Sequence, residues 1–168
     1  PHAGVDTVLA AAHLVVAAQS IVGRNLSPFQ AATIGISMFK GSDAYVVMGD
    51  RAVLGGSVRY FDMAARDKAE ARLRALASSI AEGFGARAVI DYRKNYPPCI
   101  NPAAEADIAA EVAASVVGPE NVEREAEPCM AGEDFAFMLN ERPGNYIWMG
   151  TGSPDHVSGK LHYPDYNF

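Results

Sequence analysis

Residues 32–39, ATIGISMF, carry the pattern that settles the class of fold. Ala32, Ile34, Ile36 and Met38 stand on one side of an extended chain, and Thr33, Gly35 and Ser37 on the other. That period of two marks a half-buried strand. Upstream, residues 5–22 place Val5, Val8, Leu9, Ala12, Val15, Val16 and Val22 at helical spacing, with Asp6 positioned as N-cap. Downstream, the turn signals GSD and MGD bracket a short extended piece, AYVV (44–47). A second long strand then sets Leu54, Val58 and Tyr60 on one face and Val53, Ser57 and Arg59 on the other. Asp62 caps a second helix over 64–82, whose stripe of Ala69, Leu73, Leu76, Ile80 and Phe84 ends at Gly83 and Gly85. ARAVIDYRKNY (86–96) reads as a further strand, broken by Pro97 and Pro98. This order predicts an α+β layer, two helices on one face of a mostly antiparallel sheet.

Beyond the two prolines the texture changes. Residues 103–117 read as a third helix with Ile108, Val112 and Val116 on one side, stopped by Gly118 and Pro119. MAGEDFAFML predicts a short helix from about Glu133, NYIWMG a buried strand, and the tail from Thr151 a loop. These elements are too few to close a sheet of their own, which implies a domain boundary near residue 98, with 99–168 a piece of a larger α/β domain.

Composition narrows the function. Half of the 168 residues are hydrophobic (49%), and Lys+Arg 14 against Asp+Glu 20 leaves a net charge of −6. A mildly acidic chain without a basic stripe is a poor partner for nucleic acid. Cys99 and Cys129 form no CxxC pair and sit beside prolines, as expected of reduced thiols in a cytoplasmic protein. The longest apolar run, VLAAAHLVVAAQSIV, is interrupted by His13 and Gln19 and reads as too short for a bilayer, so no membrane association is expected.

Candidate chemistry is sparse. Glu133 and Asp134 are adjacent carboxylates, explained by a helix macrodipole as readily as by a pocket. Arg59 lies opposite the apolar face of its strand, either solvated or presenting its planar fork to a substrate carboxylate. The imidazoles are His2, His13, His156 and His162; no HxH or HExxH occurs, and His13 reads as a surface residue. His162, in the aromatic terminal stretch LHYPDYNF, is either packing or one ligand of a metal site. Spacing alone assembles no complete active site, and there is no GxSxG elbow or phosphate-binding glycine loop.

Taken in order, PHAGVD, GSVRYF, YPPCIN, GEDFAFML, PGNYIWMGTG and LHYPDYNF resemble the metal-dependent amidohydrolases of the hippurate hydrolase and indoleacetyl-amino-acid hydrolase group, within the aminoacylase and carboxypeptidase clan of dinuclear metallopeptidases. The resemblance implies that residues 1–98 are most of a lid, or dimerisation, domain: a four-stranded antiparallel sheet with two helices on one face, less its first strand. Residues 99–168 would be the return into the catalytic domain. It implies two divalent ions, Mn or Zn, activating a water for hydrolysis of N-acyl amino acids, and a homodimer joined through the lid. His162 matches the family's last metal ligand, Arg59 a residue facing the substrate carboxylate, and Glu133 and Asp134 the acidic pair lining the pocket.

The general-base glutamate, the Cys-x-His pair and the GHAA histidine of the family have no counterpart here, so no catalytic residue is assigned and the chain alone is expected to be inactive. His2 matches the PH pair that follows GHAA and takes no catalytic role. Two departures stand out: AYVVMGD replaces AYNVIPD, putting Val46 for an Asn and Gly49 for a Pro, and Thr7 replaces the Pro after Asp6. The alternative expectation is a non-catalytic dimerisation module.

Overall fold

The computed structural model describes residues 2–152, 159 and 161–166; His156 lies outside them. Helix α1 spans Thr7–Ser20, and the Asp6 carboxylate caps it, accepting from the Leu9 N–H at 2.9 Å. One wider turn, Ile21–Asn25, prolongs it, closed by the Leu26 N–H donating to the Ile21 carbonyl. The helical run Thr7–Asn25 therefore reaches 19 residues and is long and apolar enough to cross a membrane by length and composition, which corrects the sequence expectation that it falls short. One face of it is committed elsewhere. Ala18 and Ile21 are fully buried in a cluster with Ile34 and Ala69, flanked by Val22, Val58, Leu73 and Leu76.

Strands β1 (Ala32–Lys40) and β2 (Val53–Tyr60) pair antiparallel, from Ala32 opposite Tyr60 to Lys40 opposite Val53. The register slips between Ile36 and Met38, so Ser37 is an extra residue. That bulge breaks the alternation read from ATIGISMF: Ala32 and Ile34 are buried, whereas Met38 is exposed. Gly56 has to be glycine here, because a Cβ would collide with the Gly35 carbonyl across the ladder.

Helix α2 (Met63–Gly83) starts at Asp62, whose carboxylate accepts from the Ala64 N–H at 2.9 Å and from the Gln30 side-chain amide at 2.6 Å. It presents small residues to the core; Ala65, Ala69, Ala77 and Ala81 are buried and allow close approach of neighbouring backbone. A second cluster, Leu26, Ala32 and Ala65 with Tyr60 against it, closes the far end.

Two paired strands, rather than four, form the sheet among the described residues. AYVV is a turn with Tyr45 and Val46 in solvent, because the loop 41–52 has nothing to pair with. Residues 86–96 join no ladder among the described residues. They are held by side chains instead: Arg74 donates to the Ile90 carbonyl at 3.3 Å, Lys94 pairs with Glu70 at 3.1 Å, and the Tyr60 hydroxyl donates to the Tyr96 carbonyl at 3.2 Å.

Helix α3 (Ala103–Val117) ends at Gly118, whose φ of 89° suits only glycine. None of its residues is buried, and Ile108, Val112 and Val116 remain open to solvent. A single 3₁₀ turn, Pro119–Asn121, and helix α4 (Phe135–Glu141) follow. The NYIWMG stretch forms no strand. Its backbone pairs with one side chain: Asn101 donates to the Tyr146 carbonyl and accepts from the Tyr146 N–H, both at 2.8 Å.

Candidate functional site

A groove of about 1360 Å³ runs from the apolar face of β1 and α2 (Ile34, Leu73) past Arg59 and Tyr96 to Glu133, Tyr146 and His162. Arg59 reaches it because β2 turns residue 59 to the exposed side of the ladder, opposite Thr33. Its guanidinium comes to rest over Gly132. A Cβ on that glycine would stand 3.1 Å from the nearest guanidinium nitrogen and 3.1 Å from the Tyr96 ring. Among the described residues Arg59 makes no ion pair, so its fork is open to an anion.

Glu133 does not begin α4 as its sequence position suggested; Asp134 occupies the cap position and makes no side-chain cap. The Glu133 carboxylate does that work from one residue further back, accepting from the Phe135 N–H at 3.1 Å. That bond, followed by one from the Tyr146 hydroxyl, holds the Glu133 carboxyl below its ordinary pKa. The same contact raises the phenol of Tyr146. Tyr146 is packed between Phe135 (ring centroids 5.8 Å apart) and Trp148 (5.8 Å, edge-on). Asp134 remains exposed and makes no contact with the groove.

Cys99 also lines the groove, and burial, with the Glu133 carboxylate second, pushes its thiol up. It is therefore protonated at neutral pH and a weak nucleophile. His162 is exposed in the turn 161–165, at a φ of 72°, a left-handed backbone that a non-glycine residue adopts only where its surroundings impose it.

Metal chemistry finds only part of a site here. Among the described residues no group of three or more His, Cys, Asp and Glu could hold an ion. Glu133 is already engaged by two donors, and His162 stands without a second imidazole beside it among the groove residues. Among the described residues the donors, one imidazole and one engaged carboxylate, make up at most part of a dinuclear centre.

Sequence reasoning singled out Arg59, Glu133 and His162, and all three line one groove. It missed Asn101, Tyr146 and Gly132. The asparagine stood in YPPCIN and the glycine in GEDF, but their roles are long-range contacts that no local pattern encodes.

The profile of peptidase family M20/M25/M40 matches residues 4–168. Relatives include an N-acetyldiaminopimelate deacetylase of Shouchella clausii (strain KSM-K16), 34% identical over 92% of this chain and 41% of its own length. An N-acetyl-L-cysteine deacetylase of Bacillus subtilis (strain 168) is 33% identical over 93% of this chain and 36% of its own. Among solved structures, a dinuclear metal-binding peptidase of the M20 family from Bacillus subtilis superposes with a TM-score of 0.72 at 29% identity, over 97% of this chain and 41% of that one. The chain thus spans about two-fifths of the length of the relatives it matches.

Proposed function

Because the chain belongs to peptidase family M20/M25/M40, we propose that it is part of a metal-dependent hydrolase that cleaves the amide bond of N-acyl amino acids. The observation that carries this reading is the approach of the Arg59 guanidinium to Gly132, which brings a cation that makes no ion pair among the described residues from the sheet to the loop ahead of α4. Arg59 binds the α-carboxylate of the substrate through its planar fork and so fixes which bond is presented. Gly132 leaves room for that fork. Glu133, ionised and held by Phe135 and Tyr146, keeps the loop in place. Divalent ions would supply the activated water in such a hydrolase, with His162 contributing one ligand. The described residues complete neither that centre nor a general base, so this chain binds and orients rather than turns over. The curated relatives are named for N-acetyl substrates, which favours a small acyl group over the benzoyl of hippurate.

Arg59→Lys and Arg59→Ala in the full-length protein test the assignment. The expected result is a KM for an N-acetyl amino acid raised at least about tenfold, or about 1.4 kcal/mol, with less change for the matching amino-acid amide, which lacks the carboxylate. Equal losses on both substrates would overturn it. Turnover by the 168-residue chain with added Mn²⁺, surviving repurification, would sink the claim that it only orients.

A second role is favoured by the outer edge of β1, which no other strand among the described residues pairs with. Met38 and Phe39 on that strand and Tyr45 to Met48 in the following loop are exposed apolar side chains. They fit a homodimer joined through the sheet. The two free thiols, Cys99 and Cys129, agree with a reducing, cytoplasmic setting.

A further inference from the structure

We propose that Tyr146 is a positioning residue for Arg59: with the Phe135 N–H it holds the Glu133 carboxylate away from the Arg59 guanidinium and keeps that fork open to a substrate anion. This rests on the reading of Arg59 as the carboxylate-binding residue. It starts from an ion pair that does not form. The guanidinium lies 3.1 Å from where a Cβ on Gly132 would stand, and the next residue, Glu133, is an acid lining the same groove. A planar fork and a carboxylate on adjoining residues are natural partners. Yet among the described residues neither Arg59 nor Glu133 takes part in an ion pair. Asp91, another acid of the groove, is committed to Arg93 at 2.8 Å.

The Glu133 carboxylate is engaged on its other side. It accepts from the Phe135 N–H at 3.1 Å, at the start of α4, and from the Tyr146 hydroxyl. That hydroxyl is fixed in place by what surrounds its residue. Asn101 donates to the Tyr146 carbonyl and accepts from the Tyr146 N–H, both at 2.8 Å, and the ring packs between Phe135 and Trp148. A donor held this firmly does not follow Glu133 when the carboxylate moves; it anchors it. With the hydroxyl removed, Glu133 keeps one neutral backbone donor, while Arg59 offers a full positive charge and two parallel N–H groups. A carboxylate tethered beside the fork competes at an effective concentration on the order of millimolar or more. Substrates are bound at about that concentration or below it. The loop ahead of α4 would then block the fork with its own side chain, and the phenol of Tyr146 is what prevents this.

Chemical modification of Arg59 tests this without reference to turnover. The rate at which phenylglyoxal modifies Arg59 is followed by peptide mass in the full-length protein, in Tyr146→Phe, and in Tyr146→Phe combined with Glu133→Gln. The phenylalanine keeps the ring and its packing, and the glutamine keeps an oxygen for the Phe135 N–H while losing the charge. The expected result is modification slowed about threefold or more in Tyr146→Phe, as an ion pair with Glu133 demands, and restored in the double variant. Combining Tyr146→Phe with Glu127→Gln, which removes a different groove carboxylate, leaves it slow. Equal rates in the parent and Tyr146→Phe overturn the proposal, and so does slowing that Glu133→Gln fails to restore. In kinetics the same variants should move KM for an N-acetyl amino acid by a matching factor and leave kcat and the amino-acid amide unaffected. If Arg59 modification follows the expected pattern while KM stays constant, the hold on Glu133 is upheld and the assignment of Arg59 to the substrate carboxylate fails.

Discussion

Gly132 is the residue on which the geometry of the groove turns. Its missing side chain is the space in which the Arg59 guanidinium and the Tyr96 ring come to rest, each 3.1 Å from the Cβ position. An alanine there demands a shift of a few tenths of an ångström, which a flexible arginine can give. A valine demands more. Gly132→Val in the full-length protein is expected to raise KM for a carboxylate-bearing substrate by about tenfold while costing the fold little, since residue 132 is exposed. Steady-state kinetics beside a thermal melt would check this; a melt that falls in step with activity would mean that the glycine serves folding alone. Thr7 and Gly49, where the sequence departs from the family pattern, are explained at this same scale. The threonine hydroxyl ties down the glycine carbonyl at 3.0 Å, a bond the proline expected at position 7 could not donate. Val46 points into solvent and touches neither the groove nor the core.

At the scale of elements, two aspartates do what local chemistry asks of them. Asp6 and Asp62 stand one residue before α1 and α2 and accept from the backbone of the first turn. Asp62 also accepts from Gln30, and that bond, ahead of the backbone one from Ala64, holds its pKa below the ordinary aspartate value. A carboxyl lowered by folding contributes stability that is complete above its unfolded pKa and is lost as pH falls through the folded value. Asp62→Asn keeps a capping oxygen but removes this titration. The variant is therefore expected to be the less stable of the two near neutrality, and the gap between them to close as pH falls from about 5 toward the acid limit of folding. Urea midpoints measured across that range decide it, and parallel acid losses in the two proteins would count against Asp62. The bulge at Ser37 belongs here too, since it turns Met38 away from the core that Ala32 and Ile34 enter.

For the whole molecule, the contrast between its two parts matters most. The hairpin and helices α1 and α2 share buried clusters, while α3 buries none of its residues. Ile108, Val112 and Val116 form one stripe on that helix, exposed by 65%, 59% and 76%. Burying such side chains is worth about 1.5 kcal/mol each or more, so the 168-residue chain is expected to self-associate through them. Val112→Lys with Val116→Lys should weaken that association by about tenfold or more and leave the circular dichroism unchanged, because nothing in the core is touched. Sedimentation velocity over a range of concentrations reads the effect, and an unaltered profile would place the contact elsewhere, with the open edge of β1 as the next surface to test.

Helices α1, α2 and α3, the aspartate caps of the first two, the two long strands and the stop at Gly118 were legible in the chain, because each is decided by residues within a turn or two of one another. Periodicity, an aspartate before an apolar run and a glycine after one require no knowledge of what lies across the molecule. The sheet was legible only in its covalently adjacent pair. Residues 86–96 have a strand's alternation, but a ladder needs a partner edge at about 4.8 Å, and the chain alone places none there. The groove residues Arg59, Glu133 and His162 could be named from motif resemblance, yet their convergence depends on contacts such as those of Gly132 with Arg59 and Asn101 with Tyr146. Sequence determined the local elements, since their energies are local; only the tertiary structure decided which edges pair and which side chains share the groove, since those energies exist only once distant parts of the chain are brought together.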